Sequence, residues 1–235
     1  MLDEISRTFA AVPADAKSSD YPIAIVDENC LGKETASTRR LTLQRLRELY
    51  ALDIAFPVFR ILRRLWDIDE RGRPLVALLV CLARDPLLLA TADVIIALPE
   101  GAEFPRTTMR DALAAAVGDR LNESTLNKVL RNAASSWTQS GHLQGRTFKF
   151  RRAVQPTPAS VAFALYLSRV AGLPVKESLT SGWVKILDCG ASMATEMATA
   201  AKRLGLLDLR MAGDVIELNL NRLDPVYLMA PQGRR

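Results

Sequence analysis

Apolar residues recur at spacings of three and four along most of the chain, the period of helices that bury one face. Leu43, Leu46, Leu49 and Tyr50 form one such stripe, in a helix that opens at Ser37 or Thr38 and runs to about Leu52. Ala55–Asp67 carries Phe59, Leu62, Leu65 and Trp66 inward, and further helices are expected near 74–84 and 86–98. Thr108 and Asp111 have capping-box spacing before the stripe Met109, Ala112, Leu113, Ala116 and Val117. A longer helix follows from Glu123 to Gln139, closed by Ser140 and Gly141. The period then shortens to two in a basic hairpin, His142–Arg152. After Pro156 the order repeats: helices over Thr157–Gly172, Gly182–Asp188 and from Ser192 to Gly205, then strands Leu206–Met211 and Val215–Leu220 around Ala212, Gly213 and Asp214.

The predicted fold is therefore mainly α: a helical bundle with a winged-helix module (helix-turn-helix plus β-hairpin wing) and a second small helix-plus-hairpin unit at the C-terminus. Residues 1–20 read as a loosely ordered segment and 21–98 as a helical domain with a basic helix start. Residues 106–154 read as the winged-helix module and 157–228 as the C-terminal α+β-hairpin module, with Pro99–Pro105 as a linker.

The chain has 235 residues and three cysteines, Cys30, Cys81 and Cys189, far apart and without a CxxC pair. That argues against a disulfide framework or a cysteine zinc site, and for a reducing compartment, the cytoplasm. The start of the chain lacks the unbroken apolar run of a signal peptide. The most apolar stretch, Pro74–Leu98, is interrupted by Arg84, Asp85 and Pro86, which reads as two buried helices and not a membrane span.

Charge adds the functional signal. Between Arg120 and Gln155 stand Arg120, Lys128, Arg131, Arg146, Lys149, Arg151 and Arg152 against one acid, Glu123. A second basic window, Lys33–Arg64, includes Arg39, Arg40, Arg45 and Arg47. Clustered cations predict a polyanionic partner. On the helix from Glu123 the face opposite the apolar stripe holds Ser124, Asn127, Lys128, Arg131, Asn132, Ser135 and Thr138, all able to hydrogen-bond and none acidic. Arg and Asn suit base edges, and Ser and Thr suit phosphates. In the hairpin, Lys149 and Arg151 alternate with Phe148 and Phe150, so the cations are expected outward and the rings inward. Lys33, Ser37, Thr38 and the free N–H groups of a helix start are a possible phosphate cradle beside Arg39 and Arg40. A solvated first turn is the equal alternative. The C-terminal hairpin, with Asp208, Asp214 and Glu217 against Arg210, is expected to repel phosphate and to serve structure or a protein contact.

Enzyme signatures fail. Gly32-Lys33 is followed by Glu34 where a phosphate-binding loop needs a hydroxyl, and Gly190–Ala194 lacks the last glycine of a nucleophile elbow. The one histidine, His142, is expected in the wing as a strand residue. Trp66, Trp137 and Trp183 fall on apolar stripes and are expected in the core. No catalysis, cofactor, metal or small-molecule substrate is expected. Two rivals to DNA binding are an adaptor whose basic faces dock acidic proteins and a dimeric transcriptional regulator.

Asn29-Cys30-Leu31-Gly32-Lys33, followed by Ser37-Thr38-Arg39-Arg40 and Arg45-Leu46-Arg47, resembles the N-terminal region of BrxA proteins of BREX phage-defence systems. The likeness continues more loosely through Leu98 and the basic winged region, and Met1–Asp20 lies outside it. The resemblance implies a mostly helical protein, partly similar to the RNA-binding factor NusB, that binds double-stranded DNA without known catalysis. It also implies partnership with other BREX proteins, among them a methyltransferase and ATPases.

Overall fold

The structure, a computed structural model, describes residues 1–213 and 215–224. Asp214 of the C-terminal turn and residues 225–228 of the expected last module lie outside the described residues. The fold is mainly helical, with two small antiparallel hairpins.

Helix α1, Leu2–Ala11, buries Ile5, Thr8 and Phe9, so the segment expected to be loose is an integral part of the core. The Phe9 ring meets Trp66 edge-on at 5.1 Å and Phe59 at 5.8 Å, with the Arg63 guanidinium 4.7 Å from its centre. The short α2, Asp20–Pro22, continues into a π-helical turn, Ile23–Asp27. Helix α3, Ala36–Tyr50, starts earlier than expected: Thr35, in extended backbone, accepts from the Thr38 N–H, so the cap is neither Ser37 nor Thr38. Then come α4, Pro57–Ile68, and α5, Arg73–Arg84.

Every residue from Leu75 to Leu82 in α5 is buried, which explains its lack of a polar face. The expected helix over 86–98 is two short ones, α6 (Pro86–Leu89) and α7 (Ala92–Ile96), with the Asp85 side chain capping the first. The apolar stretch is bent by 109° at this break, and no single helix among the described residues is long and apolar enough to cross a membrane.

Helix α8, Arg106–Val117, already has its Met109 N–H bonded to the Pro105 carbonyl, so Thr108 lies inside the first turn and does not cap it. A 3-10 turn, Gly118–Arg120, leads to α9, Glu123–Gln139, on its expected bounds. The hairpin reduces to β1, Leu143–Gln144, and β2, Phe150–Arg151. The expected linker is no linker. Gly101 N–H donates to the Arg151 carbonyl, Arg151 N–H to Ala102, and Phe104 N–H to Lys149, so 101–104 lies along β2 as a third strand-like segment.

Helix α10, Pro158–Val170, opens on a true capping box between Thr157 and Ser160 and is buried throughout from Ala159 to Ser168. Short helices α11 (Val175–Ser178) and α12 (Gly182–Lys185) precede α13, Ala191–Arg203. Gly190, not Ser192, is the α13 cap. Strands β3, Asp208–Ala212, and β4, Val215–Asn219, close the fold, packed on α13 and α11. Helices α5 and α10 pack on each other, α3 and α4 cover α5, and α12 and α13 cover α10.

Because Phe9 is buried among two rings and a guanidinium, Phe9→Ala is expected to destabilise the protein by about 3–5 kcal/mol in urea unfolding. A variant as stable as the parent would return residues 1–11 to a loosely attached segment.

Candidate nucleic-acid interface

The interface begins with α9. Asn122 stands in extended backbone and accepts from the Thr125 N–H at 2.9 Å, which fixes where the helix starts. Leu126, Leu130, Ala133, Ala134 and Trp137 are buried, and the Trp137 indole N–H donates to Thr91 Oγ1 at 2.8 Å. That anchoring turns Ser124, Lys128, Arg131, Asn132 and Ser135 to the surface. The side chains of Lys128 and Arg131 have no hydrogen bond or ion pair among the described residues. The acid at the helix start, Glu123, is held by Arg110 of α8. Asn127 is half-buried and donates to the Glu123 carbonyl at 3.0 Å, so it is occupied within its own helix and not presented to a base edge.

The wing has the opposite phase to the one expected. Arg151 is 3% exposed, while Phe148 and Phe150 are 66% and 42% exposed. The reason lies outside the hairpin. The Arg151 guanidinium donates to the Ile95 carbonyl at 3.0 Å and to the Arg152 carbonyl, and pairs with Asp188, whose other oxygen accepts from Val154 N–H at 2.8 Å. An arginine with a carboxylate and two carbonyls waiting below the sheet is better satisfied there than a phenyl ring would be. Breaking such a buried pair typically costs about 3–5 kcal/mol, so Arg151 is a structural residue and is not available to phosphate. Lys149 is half-buried, with its ammonium on Thr138 Oγ1 at 2.9 Å and the Gly145 carbonyl at 3.1 Å. Arg146 and Arg152 remain on the surface, Arg152 donating through Nε to Gln144.

The second basic cluster is divided as well. Lys33 pairs with Glu4 at 3.2 Å, and Arg39 turns inward to the Val26 carbonyl at 2.7 Å. With the Thr38 N–H taken by Thr35, the expected phosphate cradle is filled by the chain itself. Arg40, Arg45 and Arg47 stay exposed. A groove of about 340 Å³ runs between α3 and α9, lined among others by Arg45, Glu48, Asn132 and Ser135. The two basic helices are thus neighbours on one side of the molecule, a proximity that no sequence motif announces. In the C-terminal hairpin Arg210 stands opposite Glu217, and Asp208 pairs with Arg222 at 3.0 Å.

His142 is 1% exposed, so it belongs to the core and not to the wing surface. Its Nε2 lies 2.6 Å from the Ile186 carbonyl and so carries the proton, and Nδ1 faces the Ser140 hydroxyl at 2.8 Å. The ring meets Trp137 edge-on at 5.0 Å. Burial pulls its pKa from the ordinary 6.5 down to about 4, against smaller upward pulls from the Ile186 carbonyl and Asp188, with Arg151 adding a downward one. Trp66 is buried and Trp183 half-buried against the core. No group of three or more His, Cys, Asp or Glu among the described residues could hold a metal ion.

Between these two values the unfolded chain takes up a proton that native His142 refuses. Stability is therefore complete above 6.5 and falls as pH drops through the window toward 4. The limiting slope is about 1.4 kcal/mol per pH unit. Urea midpoints between pH 7 and 5 should show it, and His142→Gln should lose most of it. Equal slopes in parent and variant would assign the acid sensitivity to other groups.

The chain matches no family model, no curated protein and no solved structure.

Proposed function

We propose that this protein binds double-stranded DNA without catalysing a reaction on it, mainly through phosphates, in the bacterial cytoplasm as a component of a BREX-like phage-defence system. The observation that carries the DNA reading is the outer face of α9: Lys128 and Arg131 exposed and unpaired among the described residues, beside Ser124, Asn132 and Ser135, with the nearby acid Glu123 neutralised by Arg110. Exposed Arg45 on the α3 side and Arg146 and Arg152 on the wing side extend this face in both directions. Such cations lower the free energy of binding chiefly by releasing counterions condensed on the duplex.

The finer reading of 106–154 as a winged-helix module is supported by connectivity, with the segment 101–104 added ahead of it. A strand-like segment, two helices and two strands follow one another, and the first segment pairs with the last strand. In that arrangement α9 takes the place of the helix that lies in the major groove. The defence context and the partnership with a BREX methyltransferase or ATPases rest on the N-terminal motif, residues 29–47.

Affinity for a duplex of arbitrary sequence should fall steeply with salt, with a log–log slope on the order of −4 to −5 if about five phosphates are neutralised. Lys128→Ala with Arg131→Ala should weaken binding alike for all sequences and flatten the slope by about two, with circular dichroism unchanged. Fluorescence anisotropy across ionic strengths measures both. Absence of binding at low salt, or an affinity indifferent to salt, overturns the reading. A sharp sequence preference would point instead to a transcriptional regulator.

A further inference from the structure

We propose that the outer face of the wing, where Phe148 and Phe150 stand exposed between Arg146 and Arg152, is a stacking platform for unpaired bases next to the duplex. This rests on the DNA-binding reading of α9 and names the form of DNA that the whole face prefers.

The rings are not left out by chance. Burying Arg151 against Asp188 and the Ile95 carbonyl turns its strand neighbour Phe150 to the other side of β2, and Phe148, in the bend before the strand, is exposed as well. Two constraints then hold Phe148 in place. Gly145 has φ +120°, and a Cβ there would lie 1.9 Å from the Phe148 carbonyl oxygen, so the backbone closes tightly on itself at the tip. The Lys149 ammonium ties the Gly145 carbonyl to Thr138 on α9. Phe150 is fixed from both sides, with Gln144 paired on one flank and Glu103 on the other.

The chemistry around the rings selects the occupant. Arg146 is exposed and unpaired among the described residues, and Arg152 uses only Nε, leaving both terminal nitrogens without a partner among them. Glu103 is an exposed acid beside Phe150, and Glu100 is engaged with the Ala153 N–H at 3.3 Å. Aromatic faces bracketed by guanidinium groups suit a strand that offers π-faces and phosphates in alternation. Paired bases hide their faces in the stack and offer only edges, so the platform fits bases that are unpaired.

The test compares a blunt duplex with the same duplex interrupted by a short run of mismatched thymines. The wild-type protein should bind the interrupted duplex about tenfold more tightly, the scale of one or two base–aromatic stacks. Phe148→Ala with Phe150→Ala should lose that preference while keeping the affinity for the blunt duplex. Lys128→Ala with Arg131→Ala should weaken both DNAs and keep the preference. All four residues are exposed, so the variants should stay folded, which circular dichroism checks. Phe148→Leu with Phe150→Leu keeps apolar surface without a π-face, and it should behave like the alanine pair. Equal wild-type affinity for the two DNAs overturns the platform and leaves the α9 reading standing, whereas binding to neither overturns both. A leucine pair that keeps the preference shows an apolar contact and not stacking. An alanine pair that weakens both DNAs alike shows a wedge into paired DNA, and one that changes neither affinity leaves the rings to a protein partner; each outcome overturns the proposal.

Discussion

Two helices without a polar face, α5 and α10, impose the architecture. Eight consecutive residues of α5 and ten of α10 are buried, so each helix must be surrounded, and each meets this need partly with the other. Burying a large aliphatic or aromatic side chain stabilises a fold by about 1.5–3 kcal/mol, and this pair buries several, Leu75, Leu78, Leu79, Phe163 and Leu165 among them. The hydroxyls inside α10 are answered locally: Ser160 sits in the capping box, and Ser168 reaches the Ala164 carbonyl and the Ser181 hydroxyl. The packing also crosses the boundaries expected at 99–105 and 156, because an N-terminal helix and a C-terminal one share one core.

A second constraint decides what the surface displays. Arg151, Asp188 and His142 join the base of the wing to the segment after α12, through an ion pair and through the short contact with the Ile186 carbonyl. A strand has only two faces, so burying one arginine determines the direction of its neighbours. The basic character of the wing is thereby divided. Arg151 and much of Lys149 serve the fold, and Arg146 and Arg152 stay at the surface with the two rings.

Helices such as α3, α4, α8 and α9 were legible because each carries its own apolar stripe. The bounds of α9 could be read since Asn122 caps it and the stripe from Leu126 to Trp137 is unbroken, and its exposed face followed by subtraction. The helix at residues 2–11 was also written in the chain, as Leu2, Ile5, Phe9 and Val12 at helical spacing, but so short a stripe shows its meaning only against Phe59 and Trp66. Caps were misplaced by two or three residues at α3, α8 and α13, where several polar, glycine or proline residues compete for one position. The wing failed for a different reason. Alternation says which residues share a face, and not which face is inside. That choice depended on Asp188 and Ile95, distant in sequence, just as Lys33 and Arg39 were claimed by Glu4 and the Val26 carbonyl.

The Lys149 strut has a consequence for the thermodynamics of contact. A surface loop ordinarily gives up backbone and side-chain freedom when it meets a partner, and each immobilised long side chain costs about 0.5–1.5 kcal/mol. Here Lys149 is already immobilised, bridging the tip carbonyl of Gly145 to α9, and the turn itself admits no side chain at Gly145. The freedom of Lys149 and of the Gly145 closure is surrendered during folding, when the hydrophobic core supplies the compensation. What meets the wing has then to order the side chains at its surface, Arg146 and Phe148 among them, on a tip whose closure is already made.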